Sequence, residues 1–133
     1  MSYKDYRQGS PVLANGKVSV IEELPRYKGD PFGYKVSESA DGVQEDNVKP
    51  IELTADILKH YGFYREGGTW VFEAGKRNVR VGDDWLCSID GALVGEVKNL
   101  HELKNILIDN CGFVLRRYYD FSNHRPLAGV DLR

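Results

Sequence analysis

The residues with the most evident chemistry lie near the end of this 133-residue chain. The stretch "LRRYYDFSNHR" sets Arg116, Arg117, Tyr118, Tyr119, Phe121, His124 and Arg125 close together. Guanidinium groups bind phosphate or carboxylate through two parallel hydrogen bonds. Aromatic faces stack on bases or on partner side chains, and tyrosine and arginine are favoured at interface centres. Arg116, Arg117, Tyr118, Tyr119, His124 and Arg125 therefore form the first candidate site for a ligand or partner. The plain alternative is a terminal strand that buries Tyr118 or Tyr119. A secondary set joins Arg26, Tyr27 and Lys28 with Arg77 and Arg80. Those residues suit the basic loops of a small nucleic-acid-binding barrel.

Catalytic chemistry finds little support. His60, His101 and His124 are the only histidines. None stands in an HExxH motif or at metal-ligand spacing from a cysteine. Asp83-Asp84 is an acid pair beside Gly82. Such a pair reads as a turn with solvated carboxylates, and adjacent strand residues point to opposite faces. "GDPFG", "REGGTW" and "EAGKRN" contain glycine but lack phosphate-loop spacing, and Gly75-Lys76-Arg77 reads as a hairpin tip. No catalytic residue, metal or cofactor is expected, and the chain is expected not to be an enzyme.

Several elements must position these residues. Asn15-Gly16 is a two-residue hairpin signal, with Val18 and Val20 on one strand face and Ser19 and Ile21 on the other. "LPRYKGDPFG" is a long loop with two prolines and two glycines, of the kind that often carries function. "GYKVSES" reads as a strand and "SADGV" as a turn. A short helix follows, capped by Thr54 and ended by Gly62, with Ile57, Leu58 and Tyr61 on its apolar face. Hairpins are then marked by Gly67-Gly68 and Asp90-Gly91. "NLHELKNILIDNCG" is the clearest helix, with an Asn99/Glu102 capping box and a buried stripe of Leu100, Leu103, Ile106, Leu107 and Cys111.

The fold class expected is α+β. A small N-terminal SH3-like β-barrel or β-meander leads into a short linking helix. Antiparallel strands, one longer helix and a terminal strand or tail follow. The chain reads as one domain, residues 1–133, with a β-rich part over 10–53, a helix-hairpin-helix part over 54–112 and an extension over 113–133.

Two blocks resemble a group of small uncharacterised proteins encoded by Bacteroidetes genomes, their prophages and phages. The first is Pro50, Ile51, Leu53, Thr54, Ile57, Leu58, Gly62 and Phe63. The second runs from Val97 through His101 and Leu103 to Asn105. The resemblance covers roughly residues 12 to 112. It implies a phage or mobile-element context and no mechanism. The tail from Phe113 extends past the usual end of such proteins.

Bulk properties narrow the partner. A hydrophobic fraction of 41% with 29% charged residues is that of a folded protein. With 18 basic and 20 acidic residues the net charge is -2, which disfavours nucleic acid. Cys87 and Cys111 show no CxxC spacing and suit buried thiols. No apolar run suits a signal peptide or a spanning helix, so a cytoplasmic location is expected, in the host if the chain is phage-encoded. The function expected is binding of a host protein or sequestration of a small nucleotide-like anion, with a counter-defence role. A nucleic-acid module is the alternative, and an enzyme the second alternative. No membrane partner is expected, and self-association into a homo-oligomer is.

Overall fold

The computed structural model describes residues 3, 5–37 and 39–115, together with the backbone of 119–120 and 125–126. The fold is α+β, with most strands antiparallel in two sheets and one long helix.

The first sheet contains β1 (Pro11–Ala14), β2 (Lys17–Glu23), β3 (Tyr34–Val36), β4 (Ser39–Val43) and β5 (Val48–Pro50). Its order is β4-β3-β2-β1-β5. Asn15 and Gly16 turn between β1 and β2 with φ of 50° and 80°, as a type I′ hairpin requires. The alternation read from the sequence sorts side chains to two faces, and both are covered. Val12, Ala14, Ile21, Val36, Val43 and Val48 form a small core, with Tyr6 and Tyr34 against it. Leu13, Val18 and Val20 pack on the larger core of the molecule. Register shifts interrupt the β2–β3 and β3–β4 ladders. Such bulges bend strands, and the sheet curls into a half-barrel.

One expectation fails here. "SADGV" is strand β4, not a turn. The chain reverses between Val36 and Ser39 instead. Gly42 serves close approach, because a Cβ there would collide with the Phe32 carbonyl. Asp-Gly reads as a turn only where no second segment presses against it.

The second sheet is a plain meander: β6 (Tyr64–Glu66), β7 (Thr69–Ala74), β8 (Arg77–Val81), β9 (Leu86–Ile89) and β10 (Ala92–Glu96), ordered β10-β9-β8-β7-β6. Gly67-Gly68 and Asp90-Gly91 close two of its hairpins in the left-handed region. Helix α1 (Ala55–His60) precedes it and α2 (Leu100–Cys111) follows it. Thr54 caps α1, its hydroxyl accepting the Ile57 N–H at 3.3 Å. Gly62 leaves α1 at φ 98°, open to glycine and costly to other residues.

Helix α2 is the centre of the molecule. Its Asn99/Glu102 capping box is formed, with the Asn99 N–H donating to Glu102 Oε1 at 3.0 Å. Leu100, Leu103, Ile106 and Leu107 are fully buried against Val79, Val81, Cys87 and Ile89 of the second sheet. Truncating any one of these leucines would cost about 2–5 kcal/mol. The polar side of α2 is buried as well: His101, Glu102, Lys104 and Asn105 are all inaccessible. Tyr3 and residues 5–10 form a strap along this side. Lys104 Nζ donates to the Gly9 carbonyl at 2.6 Å. Asn105 Nδ2 donates to the Tyr3 and Asp5 carbonyls at 2.9 and 3.0 Å. Arg7 grips Asp109 with two bonds of 2.8 and 2.7 Å. The Tyr6 ring rests on His101, centroids 4.7 Å apart.

Candidate functional site

Among the described residues the largest exposed irregular feature is the loop from Leu24 to Gly33, between β2 and β3. Leu24, Tyr27 and Phe32 stand out from it, with Tyr27 60% and Phe32 49% exposed. Large apolar side chains in that state are informative when they cluster on one segment.

The loop is built rather than slack. Asp30 organises its centre. Its carboxylate accepts the Arg26 and Phe32 N–H groups, both at 3.0 Å. Those backbone bonds hold the Asp30 carboxyl below the ordinary value for aspartate. The Tyr27 carbonyl accepts the Asp30 N–H at 3.1 Å, and the Asp30 carbonyl accepts the Gly33 N–H at 3.0 Å. Gln44 Nε2 donates to the Pro31 carbonyl at 2.6 Å, tying the loop to the segment after β4. Gly33 has φ 73°, and a Cβ there would strike the Val43 carbonyl. Glycine at 33 and at 42 thus lets the loop lie flat on β4 and its continuation.

Residues of this loop line two clefts. The larger, about 560 Å³, is lined by Glu22, Glu23, Leu24, Arg26, Phe32 and Lys35 among others. The smaller, about 330 Å³, is lined by Tyr27, Lys28, Tyr34, Gln44 and Glu45 among others. Five ion pairs occur among the described residues, and all lie elsewhere: Arg7–Asp109, Arg65–Asp83, Arg77–Asp90, Arg80–Glu66 and Lys98–Glu96. No charged side chain of the loop enters an ion pair among the described residues.

The secondary set divides. Arg26, Tyr27 and Lys28 line the two clefts. Arg77 and Arg80 lie on β8 of the other sheet and line neither cleft. Arg77 Nε donates to Asp90 Oδ2 at 2.5 Å, and Asp90 Oδ1 accepts the Asn78 N–H at 2.9 Å. The Asn78 amide first, and Arg77 in addition, draw the Asp90 carboxyl below its ordinary value. Arg80 Nε donates to Asn78 Oδ1 at 3.0 Å. Both arginines brace the second sheet. Of the first candidate set, Arg116, Arg117, Tyr118 and His124 lie outside the described residues. Tyr119 and Arg125 are described as backbone alone, in a short antiparallel ladder of β11 (Tyr119–Asp120) with β12 (Arg125–Pro126).

The other residues weighed for chemistry have local surroundings of their own. His60 stacks edge-on against Tyr61 at 4.8 Å. Asp83 accepts from Arg65 at 2.8 Å, and Asp84 Oδ1 accepts the Leu86 N–H at 3.2 Å in the turn expected there. Cys87 is buried, and burial pushes its thiol up to about 12. Among the described residues no three His, Cys, Asp or Glu side chains gather as a metal site. No described helix is long and apolar enough to cross a membrane.

Sequence reasoning marked the loop without singling out Phe32 in it, and did not join Tyr34, Gln44 and Glu45 to it. The "DPFG" spacing, an aromatic held between Pro and Gly, was the available signal for Phe32. The others join the site through the β3–β4 pairing, which the misplaced turn hid. Compared with models of known families, with curated proteins and with solved structures, the chain finds no match.

Proposed function

We propose that this chain is a non-enzymatic binding protein that docks a protein partner on the β2–β3 loop. One observation carries the reading: a hydrogen-bonded loop bearing exposed aromatic and basic residues that line two clefts. Aromatic and arginine side chains are the usual anchors of protein interfaces. A loop already fixed by hydrogen bonds loses little freedom when a partner arrives. Glu22, Glu23 and Asp30 face Arg26 and Lys35 in the larger cleft. That balance repels a small anion and suits a protein surface of mixed charge.

In this reading the curled sheet is an SH3-like small barrel and the protein works in the cytoplasm. The resemblance to phage and prophage proteins makes the partner a host protein, such as a defence factor. Self-association into a homo-oligomer is part of the same proposal. The second reading is sequestration of a nucleotide-like anion by Arg116, Arg117, Tyr118, Tyr119, His124 and Arg125. Its support is the density of arginine and tyrosine in that stretch. A nucleotide-sized mass that co-purifies under native conditions would favour it.

The test of the main reading is capture from a Bacteroidetes host extract, with lysine-directed crosslinking of whatever is held. Crosslinks from Lys28 or Lys35 to one captured protein support loop docking. Crosslinks confined to Lys76 or Lys98, on the other sheet and its continuation, contradict it.

A further inference from the structure

The smaller cleft has a lining of its own kind. Tyr27, Tyr34 and Glu45 meet there, bordered by Lys28, Asp30 and Gln44. Aromatic ring faces carry a negative quadrupole that attracts cations, and a carboxylate at the rim adds a full charge. Both tyrosines line the cleft. Tyr27 is carried on the ridge with most of its surface free. Tyr34 starts β3 and meets Tyr6 edge-on, with ring centroids 5.9 Å apart. Glu45 opens a single 3-10 turn over Glu45–Asn47, next to the Gln44 side chain that ties down the loop.

The charges point the same way. Asp30 is occupied by the Arg26 and Phe32 N–H groups and stays ionised. Glu45 is exposed and enters no ion pair among the described residues. Lys28 alone opposes these two carboxylates, which leaves the lining net negative. The negative charge of Glu45 also acts on the Tyr34 phenol, adding to the rise caused by burial. A volume of about 330 Å³ admits a guanidinium or ammonium head with its stem.

We propose that the Tyr27–Tyr34–Glu45 cleft is a cation-recognition pocket, which takes an arginine or lysine side chain presented by the docked protein. This rests on the β2–β3 loop being the docking surface. It adds the chemistry that the partner must present.

The test uses the full-length protein, labelled with nitrogen-15, and two probes of the same shape. N-acetyl-arginine methylamide carries the cation, and N-acetyl-citrulline methylamide replaces it by a neutral urea. The arginine probe is expected to shift the Tyr27, Tyr34 and Glu45 amides saturably, with a Kd of about a millimolar. The citrulline probe is expected to leave them in place. Glu45→Gln should weaken the arginine probe about threefold or more, and Tyr27→Ala should do the same. Equal binding of the two probes, absence of saturation, or an unchanged Kd in Glu45→Gln overturns the pocket. If the pocket fails while captured protein still crosslinks to Lys28, loop docking stands without it. If no protein crosslinks to the loop either, both readings fall.

Discussion

Lys104 is only 2% exposed, yet it sits on what the sequence presents as the polar side of α2. Burial first, and the charge of Arg7 second, bring its pKa from 10.5 down to about 8. The sign of the consequence is fixed by linkage. Between these two values the unfolded chain holds a proton that the folded chain has released. Stability therefore rises with pH across that window, by about 3 kcal/mol in all if Lys104 acted alone. Cys87 works the other way above pH 9.0, where its unfolded thiol ionises and its buried thiol does not. The rise should be clearest between pH 8 and 9. Urea unfolding at pH 7, 8 and 9 is expected to show a rising midpoint in the wild type and a flatter one in Lys104→Met. An equal pH slope in both proteins would remove the account of Lys104. Gly33 makes a second prediction. Its φ of 73° and the Val43 carbonyl against it leave no room for a Cβ. Gly33→Ala should lose about 1 kcal/mol or more, seen as a lower Tm. Neither property is legible at its own position, because each is imposed by another segment of the chain. For Lys104 that segment is the Gly9 carbonyl, 95 residues away.

Helices and hairpins declared themselves where the backbone itself demanded a residue type. Asn15-Gly16, Gly67-Gly68 and Asp90-Gly91 all adopt positive φ, and only a short list of residues does so at low cost. Thr54, Asn99 and Glu102 satisfy helix N–H groups that nothing else would reach. Such local constraints are written locally. Gly62→Val should therefore destabilise the protein by about 1 kcal/mol or more, through the lost left-handed end of α1. An unchanged thermal midpoint would contradict that. Strand β4 was illegible for the opposite reason. Its Asp41-Gly42 obeys a contact with Phe32, on another segment, and mimics a turn. The candidate site inherits this gap. Its loop was readable from proline, glycine and aromatic content, while Tyr34 and Glu45 join it only once β3 and β4 are paired.

The molecule as a whole is organised around α2, with the second sheet on its apolar side and the N-terminal strap on its polar side. The two halves also share backbone bonds. Leu53 donates to Lys98 and Leu100 to Ile51, both at 2.8 Å. The strap is thus part of the core's closure, and Asn105→Ala should be felt well beyond its own site. It removes the donor to the Tyr3 and Asp5 carbonyls and is expected to cost about 1–3 kcal/mol. Faster hydrogen exchange of the α2 amides would report the loosened helix. With the interior committed to structure in this way, the exposed ridge between β2 and β3 is where the proposed partner would find exposed aromatic surface.

The central claim is that this ridge docks a protein. Its most direct measurement compares capture from host extract by the wild type and by Tyr27→Ala/Phe32→Ala. Tyr27 is mostly exposed and Phe32 about half exposed, so the double variant should stay close to the wild-type melting temperature. The account predicts a protein held by the wild type and lost by the double variant. Equal capture by both, at equal stability, would contradict it.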